Sequence, residues 1–384
     1  MQEIVPIVVA FDNNYCIPAG VSLFSMLANA KRERERERVK LFYKIHCLVE
    51  GLSPENIAKL EETIAPFSAF SSIEFLDITD KELEPRHNYR KLDPLIADGI
   101  KKLYLKLNAF SQKRFSKMIM CRFFFASLFP NYDKMIMFDV DTLFVNDISE
   151  SFFIPLDDHY FGAVREKDLI AMNRNSAKDL YELRQMHAKS IGVADAFPNL
   201  KEAQTLFYFN AGFLALNLKS WRKENLENQL MGFFLLKNEK LLFNDQDALC
   251  FVCRGRILEL PYSYNAHPSF LDTPSFPSIK EARMLHFWGD KPWKLFSVIG
   301  AKKWHEALIQ TPFKGAYFNA LFLDHLFESL QNKDKEIQTL NKILSFSDKR
   351  HSFESLLPKL SSKLLIEFLL FKAKQKVKRL IRRV

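Results

Sequence analysis

Residues 134–144 read KMIMFDVDTLF, and this stretch decides both the fold class and the place to look for chemistry. The apolar run predicts a buried strand over residues 135–145. Asp139 and Asp141 stand two residues apart in it, so the period of a strand would place both carboxylates on one side of the sheet. This strand is one of a series, because similar apolar runs occur at residues 4–11, 41–49 and 73–78.

Helical patterns separate these runs. Residues 18–30 have the apolar spacing of a helix with Pro18 near its start, and Ser53 followed by Pro54 is typical of the first turn of another. Residues 118–129 predict an apolar helix. Strands that alternate with such helices indicate parallel βαβ units and an α/β sheet. Because ligands bind beyond the carboxyl ends of strands in such sheets, residues there are the candidates for chemistry.

The two carboxylates suit a divalent cation. Oxygen ligands of this kind bind Mg²⁺ or Mn²⁺ that bridges a diphosphate. The later segment HFWGDKPW, residues 286–293, adds His286, whose ring nitrogen favours Mn²⁺ over Mg²⁺, and Lys291, which can neutralise a phosphate. The alternatives are a capping or salt-bridged aspartate pair and a structural histidine.

Two further segments carry polar groups suited to a sugar. In Tyr208-Phe-Asn210-Ala-Gly212, small residues let the backbone approach a ligand, and the Asn210 amide offers both a donor and an acceptor to hydroxyl groups. An ordinary turn into a strand is the alternative. Residues 244–247, Asn-Asp-Gln-Asp, predict the first turn of a helix, where aspartate is also favoured for capping alone.

Composition excludes several classes of protein. The chain has 384 residues, of which 48% are apolar and 26% charged, so it can build a large core and is not wholly disordered. Five cysteines do not suggest a disulfide framework, and Cys250-x-x-Cys253 has no second pair for zinc, so buried thiols in a reducing cytosol are expected. We see no secretory signal at the start and no uninterrupted apolar run of membrane-spanning length.

The positive charge is concentrated at the C-terminus. The formal net charge is +9, and residues 372–384 carry seven basic and no acidic residues, which leaves +2 for the rest of the chain. A balanced body argues against a nucleic-acid-binding protein. Residues 361–384 mix Leu, Ile and Phe with Lys and Arg at helical spacing, which predicts a basic amphipathic helix on an anionic membrane surface. A solvated helix packed on the body is the alternative.

Taken in order, these motifs resemble glycosyltransferase family 8, and within it the bacterial lipopolysaccharide and lipooligosaccharide galactosyl- and glucosyltransferases. The resemblance covers roughly residues 4–305. It rests on six motifs in the family's order: AFDNNY at 10–15, RF at 122–123, FDVD at 138–141, FNAG at 209–212, DQD at 245–247 and HFWGDKPW at 286–293.

The resemblance implies a GT-A fold, a UDP-sugar donor, Mn²⁺ (alternatively Mg²⁺) as cofactor and retention of the anomeric configuration. It implies that Asp139, Asp141 and His286 bind the metal. The residues it assigns to the nucleotide-sugar are Ala10, Asp12, Asn14 and Tyr15 for the uridine; Arg122 and Val140 near the diphosphate and sugar; Asn210, Ala211, Gly212, Asp245 and Gln246 around the sugar; and Gly289 and Lys291 for the diphosphate.

Candidates for the catalytic step follow from the same resemblance. Gln246 matches the family position on the β-face of the sugar, Asp245 precedes it, and Glu166 stands where a family carboxylate positions the sugar. An amide oxygen is a poor nucleophile, so we favour a front-face route over a covalent intermediate. The loops at 81–117 and 167–205 are expected to shape the acceptor pocket.

The expected protein is a cytoplasmic enzyme, peripheral on the inner face of the bacterial inner membrane. It would have a catalytic domain over residues 1–305 and a helical C-terminal region over 306–384. The expected reaction moves galactose or glucose to a lipid-linked oligosaccharide of the lipopolysaccharide core, in α linkage. The alternative is a catalytically inactive, membrane-associated binding protein of the same fold. The sequence leaves the donor hexose, the acceptor, the linkage position and the oligomeric state open.

Overall fold

The computed structural model describes residues 2–35, 37–79, 88–165, 208–241, 243–272, 276–321 and 331–338. The chain forms two compact units, residues 1–314 and 315–384, and the fold described below belongs to the first. In the second unit, residues 315–321 and 331–338 are helical. The predicted tail helix at 361–384, the loop at 167–205 and Glu166 lie outside the described residues.

A central sheet of nine strands organises the described part of the first unit. The strands along the chain are β1 (Gln2–Asp12), β2 (Glu33–Arg34), β3 (Val39–Glu50), β4 (Ser71–Asp77), β5 (Tyr89–Lys91), β6 (Lys134–Phe138), β7 (Thr142–Phe144), β8 (Phe161–Arg165), β9 (Phe209–Asn217), β10 (Ile257–Leu260) and β11 (Met284–His286). The central sheet has the order β10-β8-β9-β6-β1-β3-β4-β5, with β2 on β3, while β7 and β11 pair separately.

Helices cover the sheet. They are α1 (Cys16–Asn29), α2 (Pro54–Ile64), α3 (Pro94–Leu105), α4 (Ala109–Arg114), α5 (Phe125–Leu128), α6 (Glu150–Phe153), α7 (Leu218–Lys223), α8 (Leu226–Lys237), α9 (Asn244–Val252) and α10 (Ala301–Leu308). Ser53 caps α2 as the sequence predicts, since its hydroxyl accepts from the N–H of Asn56 and Pro54 fills the first turn. None of the helices in the described ranges combines the length and apolar character needed to cross a bilayer.

The topology brings strand ends together at one edge. β1 pairs in parallel with β3 and β6, whereas β9 runs antiparallel to β6. The carboxyl ends of β1 and β6 therefore meet the amino end of β9. Val5, Ile7, Val8 and Val9 of β1 are fully buried, as expected of a central parallel strand covered on both faces. The predicted α/β class is confirmed.

The prediction of one strand through residues 135–145 is wrong. Strand β6 ends at Phe138, and β7 begins at Thr142 in the second sheet. The turn between them is held because the Thr142 hydroxyl donates to the Asp139 carbonyl oxygen at 2.7 Å, while the Asp139 N–H still donates to the Gly212 carbonyl oxygen at 2.9 Å. Asp139 and Asp141 thus flank a turn rather than share the face of a strand.

The predicted helix over 118–129 also differs. A 3₁₀ helix spans Lys117–Phe124, and the α-helical α5 follows it. Phe124, the last residue of the 3₁₀ helix, has φ −122° and ψ 16°, outside the helical region. Phe123 and Phe125 are both fully buried on either side of it, so packing overrides the local helical pattern here.

Close packing leaves no room for a side chain at Gly20 of α1. A Cβ there would lie 2.6 Å from the Phe313 ring, whereas a Cβ at Gly232 of α8 would meet nothing within 4 Å. Alanine is favoured over glycine in a helix interior by about 1 kcal/mol, but overpacking a core costs about 1–3 kcal/mol.

We therefore expect Gly20→Ala to lower the free energy of unfolding and Gly232→Ala, the matched control, to raise it. Thermal and urea unfolding of the two variants would show this. A Gly20→Ala protein as stable as Gly232→Ala would mean that the Phe313 ring yields freely.

Candidate functional site

Four elements supply the charged residues of one cluster at the edge where β1, β6 and β9 meet. Asp139 follows β6, and Asp141 precedes β7. His286 ends β11, whose antiparallel register pairs it with Thr142, the neighbour of Asp141. Asp245 lies in the first turn of α9. The sheet pairing therefore assembles groups that are far apart in sequence.

Three of these residues form a set of potential metal ligands. One ligand atom from each of Asp139, Asp141 and His286 can be chosen so that all lie within 4.8 Å of one another. The Nε2 atom of His286 is 3.3 Å from Oδ1 of Asp141 and 3.9 Å from Oδ2 of Asp139. Two carboxylate oxygens and one imidazole nitrogen are a donor set that suits Mn²⁺. The residues present thus fit a divalent cation.

In Asp139 and in Asp141, the carboxylate oxygen that does not face His286 accepts a hydrogen bond from a cationic side chain. Arg122 donates from one guanidinium nitrogen to Oδ1 of Asp139 and from the other to Oδ2 of Asp245. Lys291 donates from Nζ to Oδ2 of Asp141 at 2.5 Å and to the Phe287 carbonyl oxygen at 2.7 Å. Each metal-ligand carboxylate therefore turns one oxygen to a fixed cation and the other towards His286.

The electrostatics follow from burial and from these pairs. Burial alone would raise the pKa of Asp141, but His286 and Lys291 outweigh it and hold that pKa well below its usual range. Burial raises the pKa of Asp245 despite the neighbouring Arg122. Burial, with the charges of Asp141, Asp12 and Asp139, raises the pKa of the Tyr15 hydroxyl to about 12. Tyr15, three residues after the end of β1, thus lies within the electrostatic reach of these aspartates.

A chain of hydrogen bonds fixes the orientation of His286. The backbone N–H of Gly212 donates to Oδ1 of Asn210 at 2.9 Å. Asn265 donates from Nδ2 to that same Oδ1 at 3.2 Å and to the Asn210 carbonyl oxygen at 3.3 Å, so its own Oδ1 faces His286. The His286 Nδ1 atom lies 2.9 Å from this oxygen and must donate to it. In the neutral form of His286, the lone pair therefore sits on Nε2, the atom that faces the two aspartates.

Gly212 makes room for this arrangement. A Cβ at this position would lie 2.3 Å from Cε1 and 2.5 Å from Nδ1 of His286. The His286 ring thus occupies the space that any other residue at 212 would fill. Close approach, rather than backbone conformation, explains the glycine.

The remaining predicted residues lie around this centre. Asp12 caps the turn after β1 by accepting from the N–H of Asn14 at 2.9 Å, and Ala10 lies two residues before the end of that strand. Gln246 accepts from the Ala211 N–H through Oε1 at 2.9 Å. Gly289 has φ 90°, which lets its loop curl so that Lys291 reaches Phe287. Val140, which separates the two aspartates in the sequence, has a buried side chain.

Sequence reasoning missed Asn265 as part of the site, and it quoted Trp293 and Asn244 within motifs without giving either of them a role. Asn265 is 5% exposed and stands alone after an aromatic run, so no spacing marked it. The Tyr15 and Trp293 rings meet edge to face with centroids 5.9 Å apart, which walls the site beside β1. Asn244 is fully buried with φ 32°, and neither amide atom has a hydrogen-bond partner among the described residues.

The sequence profile described as glycosyl transferase family 8 matches residues 6–296. The chain therefore belongs to this family, and the recognition made from its motifs is confirmed. It is 25% identical over 308 residues to general stress protein A of Bacillus subtilis (strain 168), covering 76% of this chain and 88% of that protein. It is 23% identical to the lipopolysaccharide 1,2-glucosyltransferase of Escherichia coli, covering 66% of this chain and 60% of that relative.

Solved structures confirm the GT-A fold. The galactosyltransferase LgtC, in complex with donor and acceptor sugar analogs, aligns with a TM-score of 0.58 at 19% identity, over 81% of this chain and 99% of that one. The bifunctional glycosyltransferase WbbM, in its apo form, aligns with a TM-score of 0.59 at 24% identity, over 82% of this chain and 51% of that one. At these identities the likeness shows the fold alone.

Loss of the Asn265 amide tests the hydrogen-bond chain. We expect Asn265→Ala to weaken Mn²⁺ binding about 10- to 100-fold, because His286 loses the acceptor that fixes its tautomer. Asn265→Asp keeps an acceptor and should recover part of the affinity. Electron paramagnetic resonance of free Mn²⁺ measures the binding, and ¹⁵N chemical shifts of histidine-labelled protein report whether His286 carries its proton on Nδ1.

Asn217→Ala is the matched control. Asn217 is also a buried asparagine, and its amide bonds the carbonyl oxygens of Asp157 and His159 away from the site. We expect it to cost stability but leave Mn²⁺ affinity unchanged. Equal affinity in Asn265→Ala and the wild type would show that this amide does not position the histidine.

Proposed function

We propose that this chain is a retaining glycosyltransferase. It transfers galactose or glucose from a UDP-sugar to a lipopolysaccharide or lipooligosaccharide core acceptor and forms an α linkage. The observation that carries the proposal is the set Asp139, Asp141 and His286, with Arg122 and Lys291 beside it. A diphosphate has the negative charge that such a cluster of metal ligands and cations recognises. Family membership and the lipopolysaccharide glucosyltransferase among the relatives support the substrate class.

The site divides into three parts in this proposal. Ala10, Asp12, Asn14 and Tyr15 hold the uridine beside the Trp293 ring. A divalent cation, Mn²⁺ or Mg²⁺, on Asp139, Asp141 and His286 would neutralise charge on the diphosphate when bound, and Val140, Gly289 and Lys291 lie along the same group. The residues that surround the donor sugar are Arg122, Asn210, Ala211, Gly212, Asp245 and Gln246, with Glu166 outside the described residues.

The contacts of Gln246 favour the front-face route. Its Oε1 already accepts the N–H of Ala211 at 2.9 Å, which commits one of its two lone pairs, and an amide oxygen is in any case a weak nucleophile. Asp245 is tied to Arg122 and is an acceptor for sugar hydroxyls. In the front-face route, the bond from the anomeric carbon to UDP breaks, the acceptor oxygen bonds to that carbon on the same face, and the leaving phosphate oxygen takes the proton of the acceptor hydroxyl. Lys291 supplies positive charge as UDP departs.

The wider assignments complete the proposal. Residues 1–305 form the catalytic domain, and residues 306–384 form a C-terminal region whose basic segment 361–384 binds the anionic inner face of the bacterial inner membrane. The enzyme is then a cytoplasmic peripheral protein with a lipid-linked acceptor. The second candidate, an inactive binding protein of the same fold, is disfavoured because the metal-ligand set and its two partner cations are all present.

The first test is UDP release by the purified protein from a panel of UDP-sugars, with Mn²⁺ and with EDTA. We expect one hexose donor to be hydrolysed slowly with Mn²⁺, and EDTA to abolish the release. Asp141→Asn keeps the size of the side chain but removes its charge, and should lower the rate at least about 100-fold, in line with the loss of a metal ligand. If UDP with Mn²⁺ does not bind at all, the binding-protein alternative replaces the enzyme.

The second test compares Gln246→Ala with Asp141→Ala. Because the front-face route needs no enzyme nucleophile, Gln246→Ala should keep measurable transfer, with a loss of about 10- to 100-fold from the misplaced sugar. Asp141→Ala should lose nearly all activity. Steady-state rates and circular dichroism of both variants provide the comparison. Equal, complete loss in two folded variants would favour a covalent route through Gln246.

A further inference from the structure

An arm formed by α3 and α4, residues 94–114, exposes unusually large apolar side chains. In the described ranges, four large apolar side chains are at least 70% exposed, and three of them lie on this arm: Leu95 at 83%, Leu105 at 70% and Phe110 at 72%. Single exposed apolar residues are normal on a protein surface, but several on one short segment indicate an interaction site.

Basic residues accompany these apolar groups. The arm contains five lysine or arginine residues and one aspartate. On α4, Phe110, Lys113 and Arg114 have the i, i+3, i+4 spacing that puts them on one helix face, and all are exposed. On α3, Leu105 stands three residues after Lys102. Apolar groups among cations are the pattern that anionic lipid headgroups and the acyl boundary complement.

The exposure results from a well-fixed backbone. Ala97, Ile100 and Leu103 anchor the opposite face of α3 in the core. The Tyr104 hydroxyl donates to the Gln112 carbonyl oxygen at 2.7 Å, and the Gln112 amide donates to the Leu107 carbonyl oxygen at 2.8 Å. These bonds tie α4 to the end of α3. Leu105 and Phe110 are therefore held in solvent by the fold and do not reach it by fraying.

The arm is attached to the segment that carries Arg122. Gly99 of α3 lies so close to the Phe124 ring that a Cβ would be 2.9 Å from it. Lys117, just after the arm, pairs with Glu50 at the end of β3 at 2.5 Å. The arm thus lies at the carboxyl end of the sheet, the edge that holds the candidate site. A surface bound by the arm would lie beside that site.

We propose that the α3–α4 arm is a docking surface for an anionic lipid bilayer. Phe110, Leu105 and Leu95 enter the interface, and Lys102, Lys106, Lys113 and Arg114 contact acidic headgroups. This surface belongs to the folded body and is distinct from residues 361–384. It deepens the proposed function, because a lipid-linked acceptor would be met at the edge of the site, yet lipid binding itself needs no sugar chemistry.

The test measures binding of the full chain to phosphatidylcholine vesicles with and without 30% phosphatidylglycerol by co-sedimentation. Two variants address the arm: Leu95→Ser/Leu105→Ser/Phe110→Ser removes apolar groups, and Lys106→Glu/Lys113→Glu/Arg114→Glu reverses charge. All six side chains are exposed or at the surface, so the fold should persist. We expect each variant to reduce partition into acidic vesicles at least about tenfold, while slow UDP release stays unchanged.

Matched controls lie elsewhere on the body. Leu235→Ser/Leu236→Ser removes exposed apolar groups from α8, and Lys302→Glu/Lys303→Glu reverses exposed charge on α10. Both should partition as the wild type does. In addition, Phe110→Trp should show a blue-shifted emission component with acidic vesicles and none with phosphatidylcholine alone, which reports insertion of this position directly.

The outcomes separate the possible occupants. Arm variants that bind acidic vesicles as tightly as the controls, with no shift for Phe110→Trp, overturn the proposal. Unchanged lipid binding together with loss of a wild-type dimer in sedimentation velocity would assign the surface to a second copy of the chain and equally overturn it. Arm-dependent lipid binding without any UDP release would sink the proposed enzyme but uphold the docking surface.

Discussion

Repulsion among carboxylates is the constraint on which the site depends. Asp139, Asp141 and Asp245 converge at one edge of the sheet, where burial weakens screening by water. Arg122 joins two of them, and its guanidinium is itself almost fully buried. Removing one partner of such a buried pair leaves an uncompensated charge, at about 3–5 kcal/mol. Arg122 therefore serves the stability of this edge as well as any ligand there.

Hydrogen bonds at this edge also link the potential metal ligands to the groups proposed to bind the sugar. The Asn210 amide oxygen accepts from Gly212 and from Asn265, and Asn265 in turn accepts from His286. A displacement of Asn210 by a sugar would therefore be felt at the imidazole. The amide nitrogen of Asn210 remains the group with which this residue can meet a hydroxyl. The site thus behaves as one hydrogen-bonded unit, and its parts should not respond to substitution independently.

Much of this architecture could be predicted from the sequence, and the errors have physical causes. The strands near 4–11 and 41–49 and the Ser53 cap are strong local signals, and the ordered motifs identified the family. The prediction of one strand through 135–145 was wrong because the Thr142 hydroxyl bonds the Asp139 carbonyl oxygen and forms a turn. The apolar residues before and after this turn are similar, so the sequence pattern did not reveal the break. The sequence could not identify Asn265, because its role depends on tertiary contacts with Asn210 of β9 and His286 of β11. The exposure of Phe110 equally depends on tertiary packing, since the local pattern resembles a core residue.

The hydrogen bond from the Asp139 N–H to the Gly212 carbonyl oxygen extends the β6–β9 ladder to the first of the potential metal ligands. Amide hydrogens in central strands exchange with solvent only in large opening events, whereas loop amides exchange through small ones. One wall of the site is consequently as persistent as the core of the protein. The loop around Gly289, which borders the site through the contact of Lys291 with Asp141, has no strand pairing in the described residues. Solvent and ligand would then enter and leave on the side of this loop, while the aspartates keep their positions.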